Sequence, residues 1–134
     1  MSGPGNYNQI VIEKFRANGG KVDGPNELLL LTTTGAKSGQ QRTTPVAYSR
    51  DGDHLVIVAS KAGMPTNPDW YHNLLAHPIV TVELGTERFQ ARATVASEPE
   101  RERLYDQHAT LMPGFAEYKT KTTRKIPVIL LDRV

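Results

Sequence analysis

The sequence predicts a mostly β protein, a small barrel with helices packed around it. Three observations lead there. Six runs, at 27–34, 43–49, 54–59, 79–84, 88–95 and 126–132, carry strand-type patterning. Asp51-Gly52 and Gly85-Thr86 are tight-turn pairs that fold neighbouring runs back as hairpins. The strand-helix-strand alternation of a parallel sheet is absent, as is its GxGxxG fingerprint.

Taken in order, residues 1–6 carry glycine and proline and read as a loose tail. Tyr7, Val11 and Phe15 recur at helical spacing with Ile10 beside them, and Gly19-Gly20 ends that helix. Lys14, Arg16 and Lys21 surround it, so it either lies on the core or rests on a membrane surface. Residues 1–25 are therefore read as tail and amphipathic helix, and 26–134 as the barrel. Asp23-Gly24-Pro25 turns the chain into the first strand. Pro45 inside the second marks an edge position or a ligand's approach to the backbone. Asn67-Pro68 is read as N-cap and first helical residue, with Trp70, Leu74 and His77 on one face and Pro78 as the stop. Ser97-Glu98-Pro99-Glu100 has the form of a capping box opening a helix to Leu111, where Pro113-Gly114 breaks it. Residues 115–122 form a further helical turn.

Composition narrows the chemistry. At 134 residues and 38% hydrophobic, the chain has enough for one core. There is no cysteine, so neither disulfides nor thiolate catalysis apply, which fits a reducing cytoplasm. No apolar run approaches a membrane span, and no signal-peptide pattern opens the chain. A net charge of +2 suits an anionic ligand or an acidic lipid surface and is too scattered to argue for nucleic acid. His54, His72, His77 and His108 lack metal-ligand spacing and read as surface or core-edge residues, so no metal is expected. Ser60 lacks the GxSxG elbow of a serine hydrolase. Glu98, Glu100 and Glu102 read as a helix start, not an acid/base pair.

Two loops remain. Gly35-Ala36-Lys37-Ser38-Gly39-Gln40-Gln41-Arg42 and Ala59-Ser60-Lys61-Ala62-Gly63 each follow a strand and combine glycine, lysine and serine. Glycine lets amides turn toward a ligand, while lysine and arginine supply charge. The first loop lacks the P-loop spacing. Together the two suggest a site for an elongated anionic small molecule. Trp70-Tyr71 either packs in the core or walls a planar ligand. Phe115 and Tyr118 either pack or form a lid. From residues alone, the chain is a binding protein or an enzyme whose chemistry belongs to a cofactor.

The run Leu31-Thr32-Thr33-Thr34-Gly35-Ala36-Lys37-Ser38-Gly39-Gln40-Gln41-Arg42 is followed by Pro45 and by Ala59-Ser60-Lys61. Asn67-Pro68-Asp69-Trp70-Tyr71-His72-Asn73-Leu74, Ala76-His77-Pro78 and Arg124-Lys125-Ile126-Pro127-Val128 come next. In this order and spacing, the set resembles the deazaflavin (coenzyme F420)-dependent nitroreductase family. The resemblance implies a split β-barrel like that of the pyridoxamine-phosphate oxidases. It implies binding of F420, which carries a phosphodiester and a glutamate tail, and hydride transfer to an organic acceptor such as a quinone. It implies that Ala36, Lys37, Ser38 and Arg42 surround the anionic phosphate and tail. Thr44 and Pro45 would approach the cofactor, with Ala59, Ser60 and Lys61 touching it from another strand end and Trp70 and Asn73 walling it. Ser60 near the ring and Tyr118 as proton donor or acceptor contact would be the catalytic pair.

Met112 and Phe115 stand in the late segment where nitroreductase members carry tyrosines, and Ala47 stands at a matched tyrosine position. Nitroimidazole reduction is therefore expected to be at most a side activity. The rival readings are an FMN-dependent oxidoreductase on the same barrel and a non-catalytic F420 carrier or sensor. A homodimer, a cytoplasmic location and peripheral contact with the inner membrane face complete the expectations.

Overall fold

Alternation within the strands explains the architecture, because several strands are apolar on both faces and need cover on both. The computed structural model describes residues 4–22 and 27–134, with side chains from residue 8. Of the expected loose tail, residues 1–3 lie outside those residues, whereas Pro4, Gly5 and Asn6 already belong to the first helix. The side chain of Tyr7 and the Asp23-Gly24-Pro25 turn also lie outside them. The elements are α1 (Pro4–Ala17), β1 (Leu28–Thr34), β2 (Gln41–Ala47), β3 (Ser49–Asp51) and β4 (His54–Val58). A short 3-10 turn (Lys61–Gly63), α2 (Asp69–Ala76), β5 (Ile79–Leu84) and β6 (Glu87–Val95) follow. The chain closes with α3 (Glu100–Leu111), α4 (Gly114–Lys121) and β7 (Val128–Arg133).

The strands form one sheet in the order β2-β1-β5-β6-β7-β4-β3, antiparallel throughout. The sheet curls into a half-barrel, so the mostly β expectation holds. The strand expected at 43–49 differs. It starts at Gln41 and breaks at Tyr48, whose N–H still bonds the Glu27 carbonyl on the β1 side at 3.2 Å. One residue later Ser49 pairs with Val56 of β4. The extended segment thus changes partner across the barrel seam, as strands do at sheet corners. Pro45 lies on β2, an edge strand, where a missing ladder donor is tolerated.

Leu29 and Leu31 of β1, Leu55 and Ile57 of β4, and Ile129 and Leu131 of β7 point inward to one buried cluster, joined by Leu74 of α2. The intervening Val56, Val58 and Val128 face outward and are covered by Leu104 and Tyr105 of α3 and Phe115 of α4. Leu30, also outward, is covered by Ile12 and Phe15 of α1. Ile12, not Ile10, joins the buried face of α1, and Ile10 is exposed. Burial of Val11, Ile12 and Phe15 shows a helix that lies on the core. No helix among the described residues is long and apolar enough to cross a membrane. Gly20, with φ +90°, lies against the Gly85 backbone, where an added Cβ would come within 2.8 Å of the Gly85 nitrogen. Only glycine fits that approach.

Two expected caps do not form. Pro68, not Asn67, is the N-cap of α2, and Pro99 that of α3, neither with a side-chain cap bond. Asn67 is instead used by Arg124, and Glu100 of the expected capping box by Arg103. His108 also departs from expectation, since it is fully buried. Its Nδ1 lies 2.7 Å from Ser49 Oγ, and its ring meets Phe115 edge-on at 4.5 Å. Among the described residues its Nε2 has no partner. Sequence spacing could not reveal this, because the cover comes from α4 and β3.

Burial lowers the His108 pKa from the ordinary 6.5 to about 4. Below pH 6.5 the unfolded chain takes up a proton that the folded protein refuses, so stability falls as pH drops through that window. We expect the urea midpoint to fall between pH 6.5 and about 4, and to fall less in His108→Gln. The window is worth at most about 3 kcal/mol. Equal pH slopes in the two proteins would place the acid sensitivity elsewhere.

Candidate functional site

The ladder directions bring the two basic loops to one end of the half-barrel. β1 and β4 run the same way, because three strands separate them in an antiparallel order. The turn after Thr34 and the segment after Val58 therefore emerge at the same end. The start of β2, with Arg42, lies there too. The two loops are not neighbours in the hydrogen-bonded sheet. They are linked by α2, which leaves the second loop and packs beside β1.

Asn73 makes that link. Its Oδ1 accepts the Ala36 N–H at 3.0 Å, and its Nδ2 donates to Thr33 Oγ1 at 3.1 Å. It is buried, so these bonds are shielded from water. The first loop closes on itself through Gly35 N–H to the Gln40 carbonyl at 2.7 Å and Gln40 N–H to Ser38 Oγ at 3.2 Å. Between this loop and α2 lies a cleft of about 640 Å³. Gly35, Ala36, Lys37, Ser38 and Arg42 line one side, and Asp69, His72 and Asn73 the other. Among the described residues, neither Lys37 nor Arg42 has a carboxylate within 4.0 Å. Two free cations thus face a cleft containing one acid, Asp69.

The second loop is built differently. Ala59 and Ser60 are buried, and Ala59 N–H bonds the Pro127 carbonyl at 2.9 Å. Lys61, Ala62 and Gly63 then take φ of 46°, 53° and 77° in succession. Positive φ at two non-glycine residues is strained backbone, which concentrates at functional sites. At Gly63 an added Cβ would meet Lys121 Cβ at 2.8 Å and the Tyr118 carbonyl at 3.1 Å, so α4 backs this loop. Lys61 is exposed, with Nζ 3.2 Å from Thr66 Oγ1.

Of the other expected site residues, Thr44 and Pro45 are half-buried on β2 opposite Leu31 and Leu30. Trp70 is half-buried against the inner cluster. Tyr118 packs against Phe115 at 5.2 Å between ring centres, with Lys121 Nζ over its ring at 5.8 Å. None of these four, nor Ala59, Ser60 or Lys61, lines the Lys37 cleft. His72 and Asp69 do and were not anticipated. Asp69 lies one helical turn before Asn73 and His72 directly precedes it, both exposed, a placement legible only once α2 is docked. Arg124, part of the last of the matching motifs, has no role assigned by the sequence. No group of three metal-binding side chains occurs among the described residues.

The family model described as F420H(2)-dependent quinone reductase matches residues 8–133. The chain belongs to that family. The motifs alone pointed to the related nitroreductase name, and the match corrects this to the quinone reductases. The assignment makes the protein an oxidoreductase. An F420H(2)-dependent quinone reductase of Mycobacterium tuberculosis is 42% identical over 118 residues, covering 86% of this chain and 79% of that protein. A solved F420-H2 dependent reductase is 38% identical with a TM-score of 0.72, covering 83% of this chain and 96% of the other. A solved domain-swapped dimer is 34% identical with a TM-score of 0.74, covering 97% and 100%. A pyridoxamine 5'-phosphate oxidase-like protein of Listeria innocua shares only the fold, at 11% identity and a TM-score of 0.58. The split-barrel expectation therefore stands.

Asn73→Ala removes the bond from α2 to the first loop and the bond to Thr33 of β1, and strands the Ala36 amide. We expect it to cost roughly 1–3 kcal/mol in urea unfolding. Amide exchange should quicken across residues 35–40. Unchanged exchange there would remove Asn73 as the tether.

Proposed function

We propose that the protein binds reduced F420 with its anionic end at the Lys37 cleft and reduces a quinone-like acceptor at the same end of the barrel. The observation that carries this reading is the pair of uncompensated cations, Lys37 and Arg42, facing a cleft that α2 holds open. The donor set fits the group, since a phosphodiester and a glutamate tail need positive charge, which Lys37 and Arg42 supply, and the Ser38 hydroxyl lines the same cleft. Bound reduced F420 would supply the hydride. The protein's own part is position and electrostatics. Lys37 and Arg42 set the anionic end, with Ala36 and Ser38 framing the turn between them. Asn73 fixes the distance from that turn to α2. Thr44 and Pro45 present β2 backbone toward the cofactor, and Trp70 closes the wall beside Asn73. Ala59, Ser60 and Lys61 meet the ring end, and the Tyr118 hydroxyl holds the proton destined for the acceptor. Such a division accounts for the lack of a paired acid and base. A homodimer is part of this reading, supported by the related domain-swapped dimer.

Lys37→Ala and Arg42→Ala should each raise the Kd for F420 about tenfold or more, as loss of a charge-assisted contact worth roughly 1.5–3 kcal/mol requires. Wild-type binding should weaken with added salt. Fluorescence titration with F420, run beside FMN, checks this; preference for FMN or unaltered affinity in both variants would sink the reading. Quinone turnover with F420H2 separates an enzyme from a carrier.

Tyr118→Phe keeps the ring and deletes the hydroxyl. If that hydroxyl serves the acceptor, kcat falls while F420 affinity holds. Steady-state kinetics with a soluble quinone decides it, and a wild-type kcat would leave Tyr118 as packing alone.

A further inference from the structure

We propose that Arg124 is a positioning residue for the second loop, acting on the cofactor through Ser60 and Lys61. The inference rests on the cofactor role given to those two residues above. Arg124 lies in the lead-in to β7, between 57 and 65 residues from everything it holds. Its Nε donates to the Met64 carbonyl at 3.0 Å and its Nη1 to Asn67 Oδ1 at 2.7 Å. Its Nη2 donates to the carbonyls of Ala59 at 3.2 Å and Ser60 at 2.8 Å. All three nitrogens are engaged, and all four acceptors belong to residues 59–67. None is a carboxylate, so the guanidinium serves here as a planar fork of donors, which a lysine cannot imitate. Burial holds its pKa below the ordinary value, as expected for a cation held by neutral carbonyls.

The contacts fall where the loop most needs them. Arg124 grips the chain on both sides of Lys61 and Ala62, the two non-glycine residues in the left-handed region. A trans peptide sets a carbonyl and the next N–H on opposite sides. Turning the Ala59 and Ser60 carbonyls to Arg124 therefore turns the Ser60 and Lys61 amides away from it. Asn67 leads directly into Pro68, the N-cap of α2. The same guanidinium thus holds the second loop and the start of the helix whose Asn73 holds the first. Without it, the loop would relax toward ordinary φ values and Ser60 would lose its orientation.

Three variants test this: Arg124→Ala, Arg124→Lys and Asn67→Ala, which removes only the Nη1 acceptor. Hydrogen exchange on the cofactor-free protein should quicken across residues 59–67 in the Arg124 variants and stay unchanged across residues 35–40. The Kd for F420 should rise about tenfold in Arg124→Ala, the size expected from losing bonds to a charged donor, and by less in Arg124→Lys and Asn67→Ala. KM for F420H2 should rise with it, while KM for the quinone stays put. Should Arg124→Ala fail to fold, the other two variants carry the same comparison. Unchanged exchange across residues 59–67 overturns the proposal. A loosened loop with wild-type F420 affinity overturns it as well, leaving Arg124 a purely structural residue. Neither result touches the Lys37 and Arg42 titrations, whose failure would count against the cofactor reading itself.

Discussion

The change of partner at Tyr48 is the constraint on which the rest depends. β2 and β3 are the two edges of the sheet, yet one residue separates them in the chain. A sheet whose opposite edges are covalently joined cannot lie flat. It must curl until β2 meets β4, and the two do touch. Curling gives the sheet an inside and an outside, and the strands are patterned for both. Leu29, Leu31, Leu55, Ile57, Ile129 and Leu131 fill the inside. Leu30, Val56, Val58 and Val128 require cover outside, which fixes where α1, α3 and α4 dock. A one-residue slip at Tyr48 would exchange the faces of β3, turning the charged Arg50 to the buried side where Ser49 meets His108.

The same closure builds the site. In an open sheet of this order, the ends of β1 and β4 would lie far apart. In the curled sheet they approach across the seam, and α2 can span from one to the other. The strained Lys61-Ala62 turn is tolerated because its surroundings over-determine it: Arg124 from one side, and α4 against Gly63 from another. Gly63 is required there by contact as well as by conformation.

Much of the fold was legible because it rests on local signals. The hairpin around Gly85-Thr86 forms as read from the sequence, its returning strand starting at Glu87 rather than Arg88, and the edge position of Pro45 follows from its missing donor. The strand breaking at Tyr48 was not legible, because an extended segment looks the same whichever neighbour it pairs with. The two misplaced caps differ in origin. Asn67 is a good capping residue locally, but Arg124, 57 residues away, claims its side chain. Glu100, the glutamate of the expected capping box, is held instead by Arg103 one turn on. In both cases hydrogen bonding to a charged donor outweighs a local cap. The basic loops stood out by composition. Their tethers, Asn73 and Arg124, did not, since a polar residue's partners tens of residues away leave no mark on the sequence around it.

That asymmetry has a functional meaning. Residues that meet a ligand cluster in short loops, where glycine and charge announce them. Residues that set the spacing between those loops sit in the rigid elements, and here each lies outside the loop it holds. Asn73 reaches the first loop from α2, and Arg124 reaches the second from the approach to β7. Neither loop fixes its own position, so the distance between the two loops is a property of the barrel. An enzyme whose reactive chemistry arrives with its cofactor needs that distance held more than it needs an acid or a base. Met112 and Phe115 belong instead to the outer cluster over α3 and α4, and neither lines the Lys37 cleft, so that cleft is built independently of the late segment.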